Sequence, residues 1–335
     1  QVIDAAIVGL GWWGRYIVGS LQGKSDRICF VRAIDTNPDA ARDFSDANGL
    51  RFSSDFAEAL DDDAVDAVIL ATPHSLHGEQ IVRAAAAGKH VFSEKPLALN
   101  KASAARAVAA CEQAGVVLGV GHERRFEPAL LEIKTLFDRG DLGTIMHVEA
   151  NFSHDGQAAV KAGDWRASKT ESPAAAMTGM GIHLTDSFIQ MLGPIAAVNA
   201  LTTQGLTEWE SGDLISVNMK FKSGATGSFS SLLATPFFMR FHVFGSNGWA
   251  EARDSVRPEQ VGTTVLSTRR KGGDVEVKEV PSIDTVRVNI EAFAAAAEGG
   301  AAYPIPASEM AHNIAVLEAI TDSAESGKPV TLAEA

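Results

Sequence analysis

Short apolar runs alternate with amphipathic runs along the first third of the chain. The apolar runs predict buried parallel strands, because a strand covered on both faces lacks alternating polar positions. The amphipathic runs predict helices, and Pro38 and Gly88 lie where a helix start and a helix end are expected. The predicted strands are 5–8, 28–34, 51–53, 65–71, 90–93 and 116–120, and the predicted helices are 12–21, 38–48, 54–60, 76–87 and 100–114. Repeated βα units predict an α/β fold with a doubly wound parallel sheet.

The pattern changes after Gly121, where long alternating runs separated by hairpin-type turns replace the βα units. The pattern in this part of the chain predicts an α/β domain with a large, mostly antiparallel sheet. Its predicted helices are 127–139, one within 173–192, 285–298 and 307–326, and its predicted strands are 144–154, 195–206, 213–222, 225–234, 237–245, 248–253, 261–268 and 274–280. We therefore expect two domains, residues 1–121 and residues 122–335.

Three glycines follow the first apolar run with the spacing G-x-G-x-x-G. Gly9 permits a tight turn, Gly11 lets a backbone approach a pyrophosphate, and Gly14 lets the next helix pack against the strand. The N–H groups at that helix start would face the phosphates. An ordinary βαβ turn that binds nothing is the alternative, because glycine turns are common.

Asp35 supports the nucleotide interpretation, because it ends the second predicted strand 21 residues after Gly14. An acidic residue at this position accepts hydrogen bonds from the ribose 2′-OH. The same carboxylate repels a 2′-phosphate, and no arginine adjoins Asp35 in sequence to receive one. The sequence therefore predicts NAD(H) rather than NADP(H) as the coenzyme.

Composition excludes several other classes of protein. The 335 residues carry a net charge of −13, so binding to nucleic acid is not expected. Cys29 and Cys111 form no zinc spacing or disulfide framework, which favours a reducing, cytoplasmic compartment. No apolar run has membrane-spanning length. The chain opens directly into its first strand, so we expect no leader within it, although a leader trimmed ahead of Gln1 stays open.

Two polar segments follow predicted parallel strands, where open α/β sheets bind ligands. Thr72, Pro73 and His77 come after the strand 65–71, and Glu94 and Lys95 come after the strand 90–93. From spacing alone, Lys95 is equally well a solvated loop lysine paired with Glu94.

A third polar segment contains His183, inside an apolar helical run. The residues alone favour a hydrogen-bonded core histidine there. His74 and His77 have H-x-x-H spacing, but they lack a clear third ligand, so we expect no metal site.

Taken together, these motifs resemble the Gfo/Idh/MocA family of glucose–fructose oxidoreductases and inositol dehydrogenases. The resemblance implies a Rossmann domain followed by a domain with an open-faced sheet, through which such proteins form homodimers or homotetramers. It implies NAD-dependent oxidation of a secondary alcohol on a sugar, cyclitol or cyclic diol. The segments that carry it are Gly9-x-Gly11-x-Trp13-Gly14, Thr72-Pro73 with His77, Glu94-Lys95-Pro96, Arg124-Arg125-Phe126, Trp165-Arg166 and Gly181-Ile182-His183-x-x-Asp186.

The resemblance also implies roles for individual residues. Lys95 would hydrogen-bond the reacting oxygen, and His183 would be the general base that takes the hydroxyl proton. Arg166 and Asp186 would join them on the substrate side, although a rim ion pair for Arg166 and a helix-packing role for Asp186 are equally open. Trp13, Thr72, Pro73, His77, Glu94 and Lys95 would join the three glycines and Asp35 on the coenzyme side.

Gly179 departs from the family pattern, which often has an Asp four residues before the histidine. The missing carboxylate makes simple inositol-like polyols weaker candidates and favours a cyclic dihydrodiol or a carboxylated ring. It also permits a second class of function, a catalytically weak NAD-binding regulator or scaffold. Retention of Lys95 and His183 speaks against that alternative, since a binding protein needs neither.

The Asp35 argument predicts that the protein binds NADH more tightly than NADPH. Quenching of tryptophan fluorescence by each reduced coenzyme measures the two dissociation constants. An affinity for NADPH equal to or above that for NADH would refute the argument.

Overall fold

The computed structural model describes residues 2–257 and 260–333 of the chain. They form two compact units, the first from the described parts of 1–123 and 286–311 and the second from the described parts of 124–285 and 312–335. Residues 1, 258–259 and 334–335, which the predicted domain ranges include, lie outside the described residues. Each unit has its own sheet.

The first unit contains a six-stranded parallel sheet in the order β3-β2-β1-β4-β5-β6. This order reverses direction between β1 and β4, so the carboxyl ends of those strands border the crevice where such sheets bind ligands. The elements are β1 (Ile3–Val8), α1 (Trp12–Leu21), β2 (Ile28–Ile34), α2 (Pro38–Ala47), β3 (Arg51–Ser53), α3 (Ala57–Leu60), β4 (Ala67–Leu70), α4 (His74–Ala86), β5 (His90–Ser93), α5 (Lys101–Ala114) and β6 (Leu118–Val120). The predicted doubly wound sheet is confirmed.

The second unit contains a nine-stranded sheet in the order β14-β13-β12-β11-β7-β10-β9-β8-β15. β7 and β10 pair in parallel, whereas the other neighbouring strands pair antiparallel. The remaining elements of the chain are α6 (Pro128–Asp138), β7 (Ile145–Ser153), α7 (Gly181–Leu192), β8 (Ile195–Thr203), β9 (Leu214–Phe221), β10 (Thr226–Leu232), β11 (Phe238–Gly245), β12 (Gly248–Asp254), β13 (Thr263–Arg270), β14 (Val275–Pro281), α8 (Thr285–Ala297), α9 (Ala307–Ser326) and β15 (Val330–Thr331). The predicted mostly antiparallel sheet is confirmed.

The two faces of this sheet differ, because successive side chains of a strand point to opposite sides. One face is buried, and Phe188 of α7 packs there against Phe221 and Phe241, with ring centroids 6.3 and 5.3 Å away. The opposite face, which we call the open face, carries partly exposed side chains. Its central members are Glu149, Arg240, His242, Phe244, Trp249 and Glu251.

Most of helix α8 belongs to the first unit, whereas the predicted boundary near residue 121 assigns it to the second domain. Ile290 and Phe293 are 0% exposed and lie in the apolar core that β1 and α1 form. Phe293 also meets Phe92 of β5 edge to face at 5.6 Å. The periodicity of α8 predicts a helix, but it does not say which sheet the apolar side covers.

Several element ends differ from the predicted ones for local reasons. Helix α4 begins at His74 rather than at 76, because Pro73 ends the extended segment. Strand β8 ends at Thr203, since the Asp213 carboxylate accepts backbone N–H groups from residues 205–207 and holds a turn there. Ala174 and Ala175 have φ of 55° and 53°, so the helical run within 173–192 is broken before α7. Among the described residues, no helix has the length and apolar composition needed to cross a membrane.

Candidate active site

The glycine turn after β1 has the geometry that a pyrophosphate requires. Gly9 has a φ of +95°, and a Cβ there would lie 2.5 Å from the carbonyl oxygen of Ala71. A Cβ on Gly14 would overlap the carbonyl oxygen of Gly9, so α1 approaches β1 closely. No atom lies within 4 Å of a Cβ built on Gly11, the residue that caps α1. That open space at the helix start fits the phosphates of a dinucleotide.

Asp35 is fixed at the end of β2 by two backbone donors. Leu10 N donates to Oδ2 at 2.6 Å, and Asn37 N donates to Oδ1 at 2.8 Å. Each carboxylate oxygen can accept a further hydrogen bond, so the group remains able to bind ribose hydroxyls.

An arginine lies beside this same turn, although none adjoins Asp35 in sequence. Arg15 of α1 donates from Nε to the Leu10 carbonyl at 2.9 Å and from Nη2 to the Ala40 carbonyl. Sequence spacing missed this contact, because α1 reaches the start of α2 only in the folded unit.

Glu94 and Lys95 form a charged pair at the carboxyl end of β5. Glu94 is 6% exposed, and burial raises the pKa of its carboxyl while Lys95 opposes that shift. Burial lowers the pKa of the Lys95 ammonium, and Glu94 and Glu123 oppose that shift. A Cβ on Gly121 would lie 2.5 Å from Glu94 Oε2, so a glycine is needed there.

His77, which the resemblance puts on the coenzyme side, lies buried between two backbone carbonyls. Its side chain is 0% exposed, with Nδ1 2.7 Å from the Pro96 carbonyl and Nε2 2.9 Å from the Thr72 carbonyl. Both ring nitrogens thus lie against protein oxygens, and the predicted coenzyme contact of His77 stays a prediction. Thr72 and Pro73 remain partly exposed at the end of β4.

Trp13 is half-buried on α1, where its ring stacks on Tyr16 at 5.0 Å and lies 5.4 Å from Trp12. It packs against the core of the first unit. The Trp13 ring therefore packs on α1 and on that core, and its predicted coenzyme contact stays a prediction.

His183 lies in the first turn of α7, a helix buried along most of its length. The side chain is 3% exposed, and the Phe152 ring lies 6.1 Å away. A Cβ on Gly179 would lie 3.4 Å from Gln157 Oε1. The space beside Gly179 is therefore bordered by an amide, which sequence reasoning missed because Gln157 belongs to the loop after β7.

Asp186 forms a buried ion pair, and its predicted substrate contact stays a prediction. It is 0% exposed, and Arg125 Nε and Nη2 each donate to one of its oxygens at 2.7 Å. Such a bidentate pair fixes both partners in orientation as well as in position. Since Asp186 lies one turn after His183, the pair holds the part of α7 that carries the histidine.

Arg166 lies in a short 3₁₀ turn, Trp165–Ala167, and stays partly exposed. Its guanidinium carbon lies 4.4 Å from the centroid of the Trp165 ring, and Nη1 lies 3.4 Å from Asp164 Oδ1. The long ion pair is weak, so the guanidinium can still bind a ligand group.

Among the described residues, no group of three or more His, Cys, Asp or Glu side chains is arranged to hold a metal ion.

Two family models match this chain, one in its N-terminal part and one in its C-terminal part. Residues 3–122 match the family model described as "Oxidoreductase family, NAD-binding Rossmann fold", and residues 130–251 match the model "GFO/IDH/MocA C-terminal domain". The first match confirms the predicted NAD-binding domain.

Three similar proteins cover most of the chain. D-xylose 1-dehydrogenase (NADP(+)) 2 of Haloferax volcanii is 31% identical over 82% of this chain and 82% of its own. The scyllo-inositol 2-dehydrogenase (NAD(+)) of Bacillus subtilis is 27% identical over 98% of this chain and 96% of its own. The crystal structure of the WlbA dehydrogenase from Bordetella pertussis, in complex with NADH and UDP-GlcNAcA, aligns with a TM-score of 0.84 at 27% identity and covers 100% of both chains.

Replacement of Asp186 by alanine is expected to destabilise the protein strongly, because Arg125 would stay buried without its carboxylate. Removing one partner of a buried pair costs about 3–5 kcal/mol. The double variant Arg125→Met/Asp186→Leu removes both charges and should recover most of that loss. Urea unfolding followed by circular dichroism measures both values.

The exposed pair between Lys134 and Asp138 supplies the control, since Asp138→Ala should cost below about 1 kcal/mol. An Asp186→Ala loss no larger than that of the control would show that the pair does not hold α7.

Proposed function

Because the chain belongs to the Gfo/Idh/MocA family of NAD(P)-dependent oxidoreductases, we propose that it oxidises a secondary alcohol of a sugar, cyclitol or cyclic diol, or reduces the ketone, with NAD as its coenzyme. One observation carries the proposal: the glycine turn after β1 and the Lys95 turn after β5 lie at the same edge of one parallel sheet. A hydride acceptor and a cation for the reacting oxygen are both needed there. When bound, the nicotinamide supplies the hydride chemistry.

The residues that would hold the coenzyme are those of the crevice. Gly9, Gly11 and Gly14 leave room for the pyrophosphate at the start of α1, and Asp35 would accept from the ribose. Thr72 and Pro73 border the same turn, since the carbonyl of Ala71 lies against Gly9.

Lys95 would hydrogen-bond the reacting oxygen and stabilise its alkoxide form. Its low-dielectric surroundings strengthen such an interaction, and Glu94 and Glu123 oppose the lowering of the Lys95 pKa that burial causes. Glu94 itself is buried, so its part is to neutralise and orient Lys95.

His183 would accept the hydroxyl proton, because an imidazole changes charge near neutral pH. Phe152 borders the ring on one side and limits its hydration. Arg125 and Asp186 would keep α7 in the position that this proton transfer needs.

Arg166 and Gln157 would recognise the rest of the substrate. An amide beside Gly179 donates and accepts hydrogen bonds without charge, whereas the family's usual aspartate only accepts when ionised. Ring hydroxyls suit the amide, and a ring carboxylate suits Arg166. The Arg166 guanidinium favours a carboxylated ring, and the absence of the family's usual aspartate at Gly179 makes an unsubstituted inositol a weaker candidate.

A turnover screen tests this function. It offers inositols, aldoses, sugar acids, amino sugars and cyclic dihydrodiols with NAD⁺ and with NADP⁺, and follows reduced nicotinamide by absorbance. On the substrate found, His183→Ala should lower kcat by roughly 10²–10⁴-fold, the usual contribution of a positioned base. Lys95→Met should lower it by roughly 10²–10³-fold, the usual loss when one donor to a developing oxyanion is removed. Lys101→Met, on the exposed start of α5, is the matched control and should keep full activity.

The outcomes separate the two classes of function. Unchanged turnover in His183→Ala or Lys95→Met removes that residue from the mechanism. Tight NADH binding without turnover on any class would favour a regulatory or scaffold protein, the alternative that Gly179 permits.

The pH profile supplies a second readout of the same roles. Because burial lowers the pKa of Lys95, its ammonium is lost at a pH below the ordinary lysine value of 10.5. The value of kcat/KM should therefore fall as pH rises through that pKa. In Lys95→Arg, the guanidinium stays charged, so any residual activity should lack this alkaline decline.

We further propose that the chain forms homodimers or homotetramers through the open face of its nine-stranded sheet. The His242 ring stacks on Phe244 at 3.8 Å and meets Trp249 at 5.4 Å, and all three are half-buried. Arg240 bonds Glu149 at 2.9 Å beside them. Aromatic and arginine side chains are enriched at the centre of protein–protein interfaces.

Trp249→Glu should therefore lower the oligomeric state, because a carboxylate would be buried without a partner. Light scattering after gel filtration measures the mass. Leu206→Glu, in the loop between β8 and β9 where Leu206 is 80% exposed, lies off the sheet and should keep the native mass. If Trp249→Glu also keeps it, the open face is not the interface.

A further inference from the structure

His77 joins the two turns that border the proposed site, and the chemistry above gives it no part. It lies in the first turns of α4, directly after the end of β4. One ring nitrogen lies against the carbonyl of Thr72, in the turn after β4. The other lies against the carbonyl of Pro96, the residue after Lys95 in the turn after β5.

The two contacts differ in what they require of the His77 ring, because the number of N–H groups depends on its protonation state. A carbonyl oxygen only accepts hydrogen bonds, and a neutral imidazole has one N–H and one lone-pair nitrogen. At 2.7 and 2.9 Å, both contacts are at hydrogen-bond distance. A neutral ring would therefore press one nitrogen lone pair against a carbonyl lone pair, whereas an imidazolium donates to both oxygens.

Because His77 is buried, the loss of either contact between its ring and a carbonyl oxygen would be costly. The side chain is 0% exposed, so water does not replace either carbonyl. Thr72 is also tied to α4 by its own hydroxyl, which donates to Gln80 Oε1 at 2.6 Å. The titratable neighbours in these segments are His74, whose ring lies 6.0 Å away on the same helix, and Glu94 and Lys95 in the turn after β5.

We propose that His77 is a positioning residue for Lys95: held as an imidazolium, it ties the Pro96 carbonyl to the Thr72 carbonyl and so fixes the lysine turn beside the glycine turn. The inference rests on the proposed function in so far as Lys95 acts on the substrate. Packing alone is the competing explanation, and it requires neither the second proton nor an effect on Lys95.

The protonation state is tested without any substrate. The protein is labelled with ¹⁵N-histidine, and the His77 ring signals are assigned by their loss in His77→Gln among the nine histidines of the chain. The expected spectrum at pH 7 has protons on both His77 ring nitrogens. A single protonated nitrogen would overturn the proposal.

The positioning role is tested by kinetics on the substrate found in the screen. His77→Leu removes both donors and should lower kcat on the order of 10²-fold, the effect of a misplacement of about 1 Å. His77→Gln keeps N–H donors for one carbonyl and should lose less. The dissociation constant of NADH should change less than about threefold in both, since a tenfold change needs 1.4 kcal/mol of lost coenzyme contact.

His74→Leu is the control, on the same helix turn, and should keep kcat. Unchanged kcat in His77→Leu, or equal losses of kcat and NADH affinity, would contradict the positioning role. If His77→Leu does not fold, His77→Gln and the spectrum of the native protein still decide the proposal. Failure of the proposed function is recognised separately, because Lys95→Met would then leave turnover unchanged.

Discussion

The first unit depends on the close approach of α1 to β1. Gly14 packs where any side chain would overlap the carbonyl of Gly9, and Gly9 itself leaves no room beside Ala71. This contact brings the first N–H groups of α1 over the carboxyl edge of the sheet, where they attract an anion. The other parts of the crevice, Asp35 and the turns after β4 and β5, are arranged around that helix start by the order of the strands.

Buried polar contacts lie beside the side chains that we propose as catalytic, Lys95 in the first unit and His183 in the second. Glu94 lies beside Lys95, and His77 lies between two carbonyls in the first unit, while Arg125 and Asp186 lie behind His183 in the second. Leaving any of these groups without its partner would cost free energy, because water cannot replace a lost hydrogen bond in the interior. A single arrangement is therefore strongly favoured, and a reactive group held in one position needs little reorganisation during a reaction.

The sequence predicted the six parallel strands closely, because buried strands are continuous apolar runs and glycine or proline marks their ends. The helical run within 173–192 was less predictable. It is interrupted by Ala174 and Ala175 in left-handed conformations, which alanine rarely adopts, so their composition gives no sign of the break. The end of β8 was missed for a similar reason, since Asp213 stops it from ten residues further along the chain.

The sequence by itself determined the fold class, the nucleotide turn with Asp35, and the positions of Lys95 and His183 after or within apolar elements. These features follow from local spacing, because periodicity and glycine conformations act over a few residues. Only the tertiary structure decided that Asp186 is paired with Arg125, that His77 is enclosed between two turns, that Arg15 reaches the turn after Asp35, and that α8 completes the core of the first unit. Those outcomes depend on which distant groups share a desolvated space, and no local pattern encodes the partner of a buried charge.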